Sequence, residues 1–459
     1  MRTHWNRQSP PQLPKPLLLS REQVLSKPDF REAKHTSKER FSWGRTALGA
    51  LSLVGVSSGI LAGSVSEAVN VDLPAQTSDS GVDLNHQKEC SLVLVDYFES
   101  SNSDDPVPHG DKVQGTAELL GVTREISRVQ VEGSFDTALH GLRQDMLRSL
   151  DAEGLSPDDR LGALKSFAED GAVSFVRAKS HHLDNLRGWS RSAVNFSLAY
   201  DKAKLVEDIF EELQPAWSGR EKDEERVERA RLRLEAVSSA LGQSLEELLS
   251  ESSDVHGPAR QRLQQSLIDL VSSSIDQSPE LAEARSDWKR AVADFEASHN
   301  SVVIAAGNSA HVAKNLKRDN GGLALALPDD FETSLLEIDE VTSVGAVEHR
   351  IASNYDGNIE IPAVYGSKAQ GVDIYAFGGF TSADGRDAEG TSFAAPRVST
   401  TMTAVHCTHP EMTSLQVQDY IINEFGRGME PVSQVGETVL DLQSAEAFVR
   451  LTSPDSVGP

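Results

Sequence analysis

The chemistry this chain can perform starts at Ser392. It stands in Gly390-Thr391-Ser392-Phe393-Ala394-Ala395-Pro396, where a glycine and a small hydroxyl residue lead into an alanine-rich run. The pattern predicts a helix opening at the serine with a proline in its first turn, where a missing N–H costs nothing. That arrangement puts the Ser392 hydroxyl and its backbone N–H at the positive end of a helix dipole, so negative charge developing there would be stabilised. A serine hydroxyl is a weak nucleophile until a base takes its proton, and that base needs an orienting carboxylate. Given both, the accessible chemistry is acyl transfer.

The chain offers both partners upstream. Ser91-Leu92-Val93-Leu94-Val95-Asp96 is an apolar run ending in a carboxylate, and reads as a buried parallel strand with Asp96 at its carboxyl edge. Pro108-His109-Gly110-Asp111 follows as a loop entering a helix, with His109 at its start. A second buried strand, Val302-Val303-Ile304-Ala305-Ala306, ends in Gly307-Asn308. Alone, a carboxylate at a strand end or an Asn after Gly is ordinarily a turn residue. Four such pieces in one order, each on the right kind of element, are uncommon.

Together these stretches resemble the subtilisin-like serine proteases, the subtilases, in which the chain order is also Asp, His, Ser. The resemblance implies Asp96, His109 and Ser392 as the catalytic residues and Asn308 as the oxyanion-binding asparagine. It also implies that Ser197, Leu198 and Ala199, within Ala193–Tyr200, pair with the substrate backbone, and that Ala306 and Gly307 complete that wall. The implied function is a serine endopeptidase acting on proteins or peptides, with no cofactor. The chain departs from the family at Tyr97-Phe98, where a small hydroxyl residue and a glycine are usual, and at Asp111-Lys112. Ala199 and Ser309 stand where glycines are common. The alternative is a catalytically silent subtilase fold that binds a partner protein through an inserted helical segment. The complete Asp, His, Asn and Ser set favours the enzyme.

The elements that must position these residues read as α/β, a mostly parallel sheet with helices on both faces and the active residues at its carboxyl edge. Further strands are expected at 126–131, 341–347 and 371–378, and helices at 135–150, 392–407 and 414–425. The catalytic domain is expected over 89–450. Within it, 201–298 reads as a helical insertion, with apolar stripes at Leu205, Ile209 and Leu213, at Val227, Leu232, Leu234 and Val237, at Leu263, Leu267, Leu270 and Val271, and at Trp288, Val292 and Phe295. Its charges read as a solvated face, and it is expected to stand outside the catalytic core. His181 and His182 are adjacent, so they do not share a helix face. They read as surface residues, and no metal site is expected.

The chain has 459 residues and a net charge of −26, which argues against nucleic acid as a partner because phosphate binding needs Lys and Arg. Two cysteines exclude a disulfide framework. Residues 1–45 read as a disordered basic leader. Residues 46–66 carry no charge. Their length suits a membrane span and their moderate hydrophobicity a signal peptide, so membrane contact is expected here. Residues 67–88 read as a linker. The expectation is an exported protein, secreted, periplasmic or anchored; the alternative is a cytoplasmic enzyme with a disordered tail.

Overall fold

The computed structural model describes residues 89–98, 107–121, 125–131, 134–218, 221–250, 257–319, 324–351, 358–363, 366, 371–381, 387–428 and 438–452. The expected leader, apolar segment and linker, 1–45, 46–66 and 67–88, lie outside these residues.

The strands are β1 (Leu92–Asp96), β2 (Ile126–Gln130), β3 (Ala193–Phe196), β4 (Ser301–Ala305), β5 (Thr342–Ile351), β6 (Asn358–Pro362), β7 (Ile374–Phe377), β8 (Gly379–Thr381), β9 (Asp387–Glu389), β10 (Gly426–Gly428) and β11 (Thr438–Leu440). One sheet runs β10-β11-β7-β5-β4-β3-β1-β2, with β6 on β5. From β11 to β2 every pair along it is parallel; β10 on β11 and β6 on β5 are antiparallel. β8 and β9 form a separate antiparallel ribbon. The sheet is therefore the mostly parallel one expected.

Helix α1 (His109–Glu118) lies between β1 and β2. Helices α2 (Ser134–Asp151) and α3 (Pro157–Asp184) join β2 to β3. Between β3 and β4 come α4 (Lys202–Leu213), α5 (Pro215–Ser218), α6 (Glu224–Ala240), α7 (Leu245–Ser250), α8 (Pro258–Asp276) and α9 (Pro279–Glu296). The remainder are α10 (Ala310–Asp319), α11 (Thr391–Thr408), α12 (Ser414–Glu424) and α13 (Leu442–Thr452).

Strand side chains two apart share a face, and here they feed separate cores. Val93, Val95, Val194, Phe196, Val302 and Ile304 face the α2–α9 side. Leu92 and Leu94 turn the other way, onto α1 and Phe393. Ala193, Val303, Ala305, Val344 and Ile374 face α11 and α12. With both faces covered, the central strands read as continuous apolar runs rather than alternating ones.

Between β3 and β4 the expected helical run is present, but it packs into the core rather than standing outside it. Leu205, Leu267, Trp288 and Phe295 sit in the same buried cluster as Phe196 and Ile304 of the sheet. Trp288 meets Phe196 edge-on at 5.7 Å between ring centroids, and its Nε1–H donates to the Leu336 carbonyl at 2.9 Å. The physical reason is that each helix has an apolar stripe to bury, and the sheet offers an apolar face. In α6 the buried side is Ala230, Leu234 and Val237, at helical spacing, while Leu232 is 52% exposed.

Helix α3 was not anticipated. Its start is a capping box, in which Ser156 accepts from the Asp159 N–H and the Asp159 carboxylate accepts from the Ser156 N–H. Near its end, successive residues point about 100° apart, so His181 is exposed while His182 is buried. His182 is thus not the surface residue expected. Burial first, then the neighbouring Lys179 and His181, pushes its imidazole down to about 3.

Candidate active site

Asp96 closes β1 with the parity of Leu92 and Leu94, so its carboxyl faces the α1–α11 side. It is fully buried. Its Oδ1 accepts from the Tyr97 N–H at 2.7 Å, and the Phe98 N–H donates to Gln130 Oε1 at 2.7 Å. The Gly110 N–H donates to the Tyr97 carbonyl at 2.7 Å, bringing the start of α1 against this turn. A Cβ on Gly110 would lie 2.7 Å from that carbonyl oxygen and 2.7 Å from the Phe98 ring, so only glycine allows the approach. Phe98 covers Gly110 and carries the Arg128 guanidinium 5.0 Å above its ring.

That approach sets His109 Nδ1 2.7 Å from Asp96 Oδ1. A carboxylate only accepts, so Nδ1 carries a proton, and in the neutral ring Nε2 is then the acceptor. Ser392 Oγ stands 3.0 Å from Nε2. The imidazole leans on Phe393, with ring centroids 5.5 Å apart.

Helix α11 begins at Thr391, with Gly390 as its N-cap. Pro396 is therefore in its second turn, not its first as expected. Having no N–H, Pro396 leaves the Ser392 carbonyl without its i+4 donor. The Ser197 hydroxyl takes that place, donating to the Ser392 carbonyl at 3.1 Å, and itself accepts from Asn195 Nδ2 at 2.5 Å. Ser197 thus uses its buried side chain to hold the backbone of Ser392. Leu198 and Ala199 follow it, half-buried.

Past β4, Ala306 is buried and its N–H donates to the Val344 carbonyl at 3.0 Å. Gly307 has φ of +112°, a conformation that favours glycine. Its N–H donates to Thr391 Oγ1 at 3.2 Å, and Asn308 next to it is exposed. The Thr391 N–H, at 2.9 Å, and hydroxyl, at 3.0 Å, both donate to Asn308 Oδ1. A backbone N–H cannot accept, so the amide oxygen must face Thr391, leaving Nδ2 turned away from it. A Cβ on Gly390 would sit 2.9 Å from Ser392 Oγ and 3.2 Å from Asn308 Nδ2. Space, not backbone conformation, requires glycine there. The hydroxyl and the amide N–H₂ thus border one small volume at the N-terminus of α11. Thr391 orients Asn308, and in the sequence it is marked only as a small hydroxyl residue before Ser392; no spacing rule singles out its partner.

Among the described residues, no group of three or more His, Cys, Asp or Glu side chains is placed to hold a metal ion. Among them, too, no helix is long and apolar enough to cross a membrane.

A family model described as the subtilase family matches residues 239–442, a stretch that includes Asn308 and Ser392 and begins after Asp96 and His109. The subtilase resemblance is shown over that stretch. No curated relative matches the sequence. Solved structures that the chain resembles include a lanthipeptide protease, 12% identical, with 78% of this chain and 87% of that one covered and a TM-score of 0.33. Another is an epidermin leader peptide processing serine protease from Staphylococcus aureus, 14% identical, with 79% and 76% covered and a TM-score of 0.33.

Proposed function

We propose that this subtilase-like chain is a serine endopeptidase. The observation that carries the reading is the unbroken run of hydrogen bonds from Asp96 Oδ1 through His109 to Ser392 Oγ, at 2.7 and 3.0 Å. Ser392 Oγ attacks the peptide carbonyl carbon as its proton passes to His109 Nε2. Asp96 holds the tautomer and stabilises the imidazolium. The carbonyl oxygen, now an oxyanion, is received by Asn308 Nδ2 and the Ser392 N–H at the positive end of α11. His109 then gives the proton to the leaving amine, and the C–N bond breaks to leave an acyl-Ser392 ester. Water repeats the steps, with His109 as base, to release the acid. Leu198 and Ala199 offer backbone on one side of the substrate, and Ala306 and Gly307 on the other.

The test is labelling with a fluorophosphonate probe beside a Ser392→Ala control, followed by hydrolysis of a mixed peptide pool. Labelling of wild type alone, with cleaved peptides, supports the enzyme. A folded wild-type protein that takes no probe supports the silent, partner-binding alternative. Export through residues 46–66 is proposed with it; a mature protein in the cytoplasm still starting at Met1 would refute that part.

A further inference from the structure

His311 lies three residues beyond Asn308, in the first turn of α10, and its two ring nitrogens have different partners. Nδ1 is 2.5 Å from the Asn308 backbone carbonyl oxygen, and Nε2 is 3.2 Å from Glu207 Oε1 on α4. A carbonyl and a carboxylate can only accept. Both nitrogens must therefore donate, which a neutral imidazole cannot do and an imidazolium can. The surroundings keep the ring charged. The hydrogen bond to Glu207 raises the imidazole above its ordinary value, against the opposing effect of burial. Glu207 is itself secured: burial disfavours its charge, but the bonds from His311 and Lys204 hold it down at about 2.

The other charged groups around the pair are Lys204, Asp208 and Glu211 of α4, and Lys314 one turn along α10. Lys204 Nζ lies 2.9 Å from Glu207 and 3.1 Å from Asp208. Glu211 is close enough for its charge to be felt by this group, and Lys314 is exposed. Asp201, the N-cap of α4, adds a second tie, since its carboxyl interacts with Ser309 beside Asn308 and senses Glu332 and Glu207. The loop carrying Asn308 is thus held from in front by Thr391 and from behind by α4.

We propose that His311 is a positioning residue: as an imidazolium it ties the Asn308 backbone to Glu207, and so fixes the Asn308 amide where the oxyanion forms. This rests on the proposed role of Asn308. It makes α4 part of the catalytic apparatus at one remove. It also gives turnover an alkaline limb. Below the raised value of His311 both bonds stand; as pH rises through it one donor is lost and the loop loosens. His109 sets the acid limb, because it must be neutral to act as base.

The test measures kcat and KM against pH for wild type, His311→Ala, Glu207→Gln, Asn308→Ala and the His311→Ala/Asn308→Ala pair. His311→Ala should lower kcat about tenfold near neutral pH through misplacement of a catalytic group, with KM within about twofold. In the Asn308→Ala background the same change should cost less than about twofold, because its effect passes through Asn308. Glu207→Gln should move the alkaline limb to lower pH, and it serves as well if His311→Ala fails to fold. An active wild type whose kcat is indifferent to His311→Ala, or which loses as much in the Asn308→Ala background, overturns the positioning role alone, as does an unmoved limb in Glu207→Gln. A wild type that neither cleaves peptide nor takes the fluorophosphonate at Ser392 overturns the endopeptidase reading beneath it.

Discussion

Helices α11 and α4 pack on opposite faces of one sheet and handle polarity in opposite ways. α11 is buried on all sides from Thr391 to His406. Beyond its first turn, hydroxyls fold back onto the helix itself, Thr401 to the Arg397 carbonyl at 2.9 Å and Thr403 to the Ser399 carbonyl at 2.9 Å. On the α4 side, Lys204 bridges Glu207 and Asp208, Tyr200 donates to Asp208 at 2.9 Å, Arg143 reaches Glu212 at 2.7 Å and Arg233 reaches Asp151 at 2.8 Å. Neutral hydroxyls bonded within a dry interior keep one geometry whatever the pH, and Arg397, the cation buried on α11, donates to the Gly379 carbonyl at 2.9 Å. Ion pairs instead depend on both partners staying charged. Ser392 stands among contacts of the first kind, and the second lies behind Asn308.

The comparison breaks most sharply at the nucleophile. Ser392→Ala or His109→Ala should lower kcat by about a millionfold, and the double variant should lose little more, because the residues act as a unit. Melting temperature should hardly move. Peptide turnover at the wild-type rate in either variant would remove the mechanism.

Asn308→Ala comes next, with kcat down by about a hundred- to a thousandfold and KM little changed, as for loss of one oxyanion donor. A rise in KM at constant kcat would instead assign Asn308 to substrate binding.

On the other face, Trp288→Ala should cost about 3–5 kcal/mol in urea unfolding, because it empties a site wedged between Phe196 and the Leu336 carbonyl. Loss of Ser392 labelling should coincide with loss of helix signal. Two separate transitions would show that the helical layer is an appendage after all.

The mildest effect concerns pH. Burial, only partly offset by bonds from Ser309 and the Lys204 N–H, raises Asp201 from 3.8 to about 7. Between those values the folded state holds a proton that the unfolded chain has lost, so stability falls as pH rises through that window. Asp201→Asn keeps the cap and removes the titration. Its melting temperature should fall less than wild type's between the two values; an identical slope would exonerate Asp201.

Much of the site was legible because its signals are local. An apolar run ending in Asp96, His109 at a helix start, Gly307-Asn308 after a strand and Gly390-Thr391-Ser392 before a helix each announce a backbone geometry within a few residues. The sheet was legible for a related reason, since parallel strands covered on both faces must be apolar throughout. Helix α3 carries a local signal too, since Ser156-Pro157-Asp158-Asp159 combines a capping box with a proline and acids in the first turn.

Other features depended on distant partners. Pro396 frees the Ser392 carbonyl, but that Ser197 fills the gap follows only from β3 ending beneath α11. Amphipathic stripes in α4, α8 and α9 say that each helix needs a partner, without saying which neighbouring helix or strand supplies it. His182 is buried and His181 exposed because α3 presents one side to its neighbours. His311 and Glu207, 104 residues apart, meet only where α10 packs on α4. What the sequence by itself determined is which residues can do chemistry and which backbone turns present them, because those depend on near neighbours. What only the tertiary structure decided is what holds them in place, because burial and hydrogen-bond pairing between distant segments are properties of the packed chain.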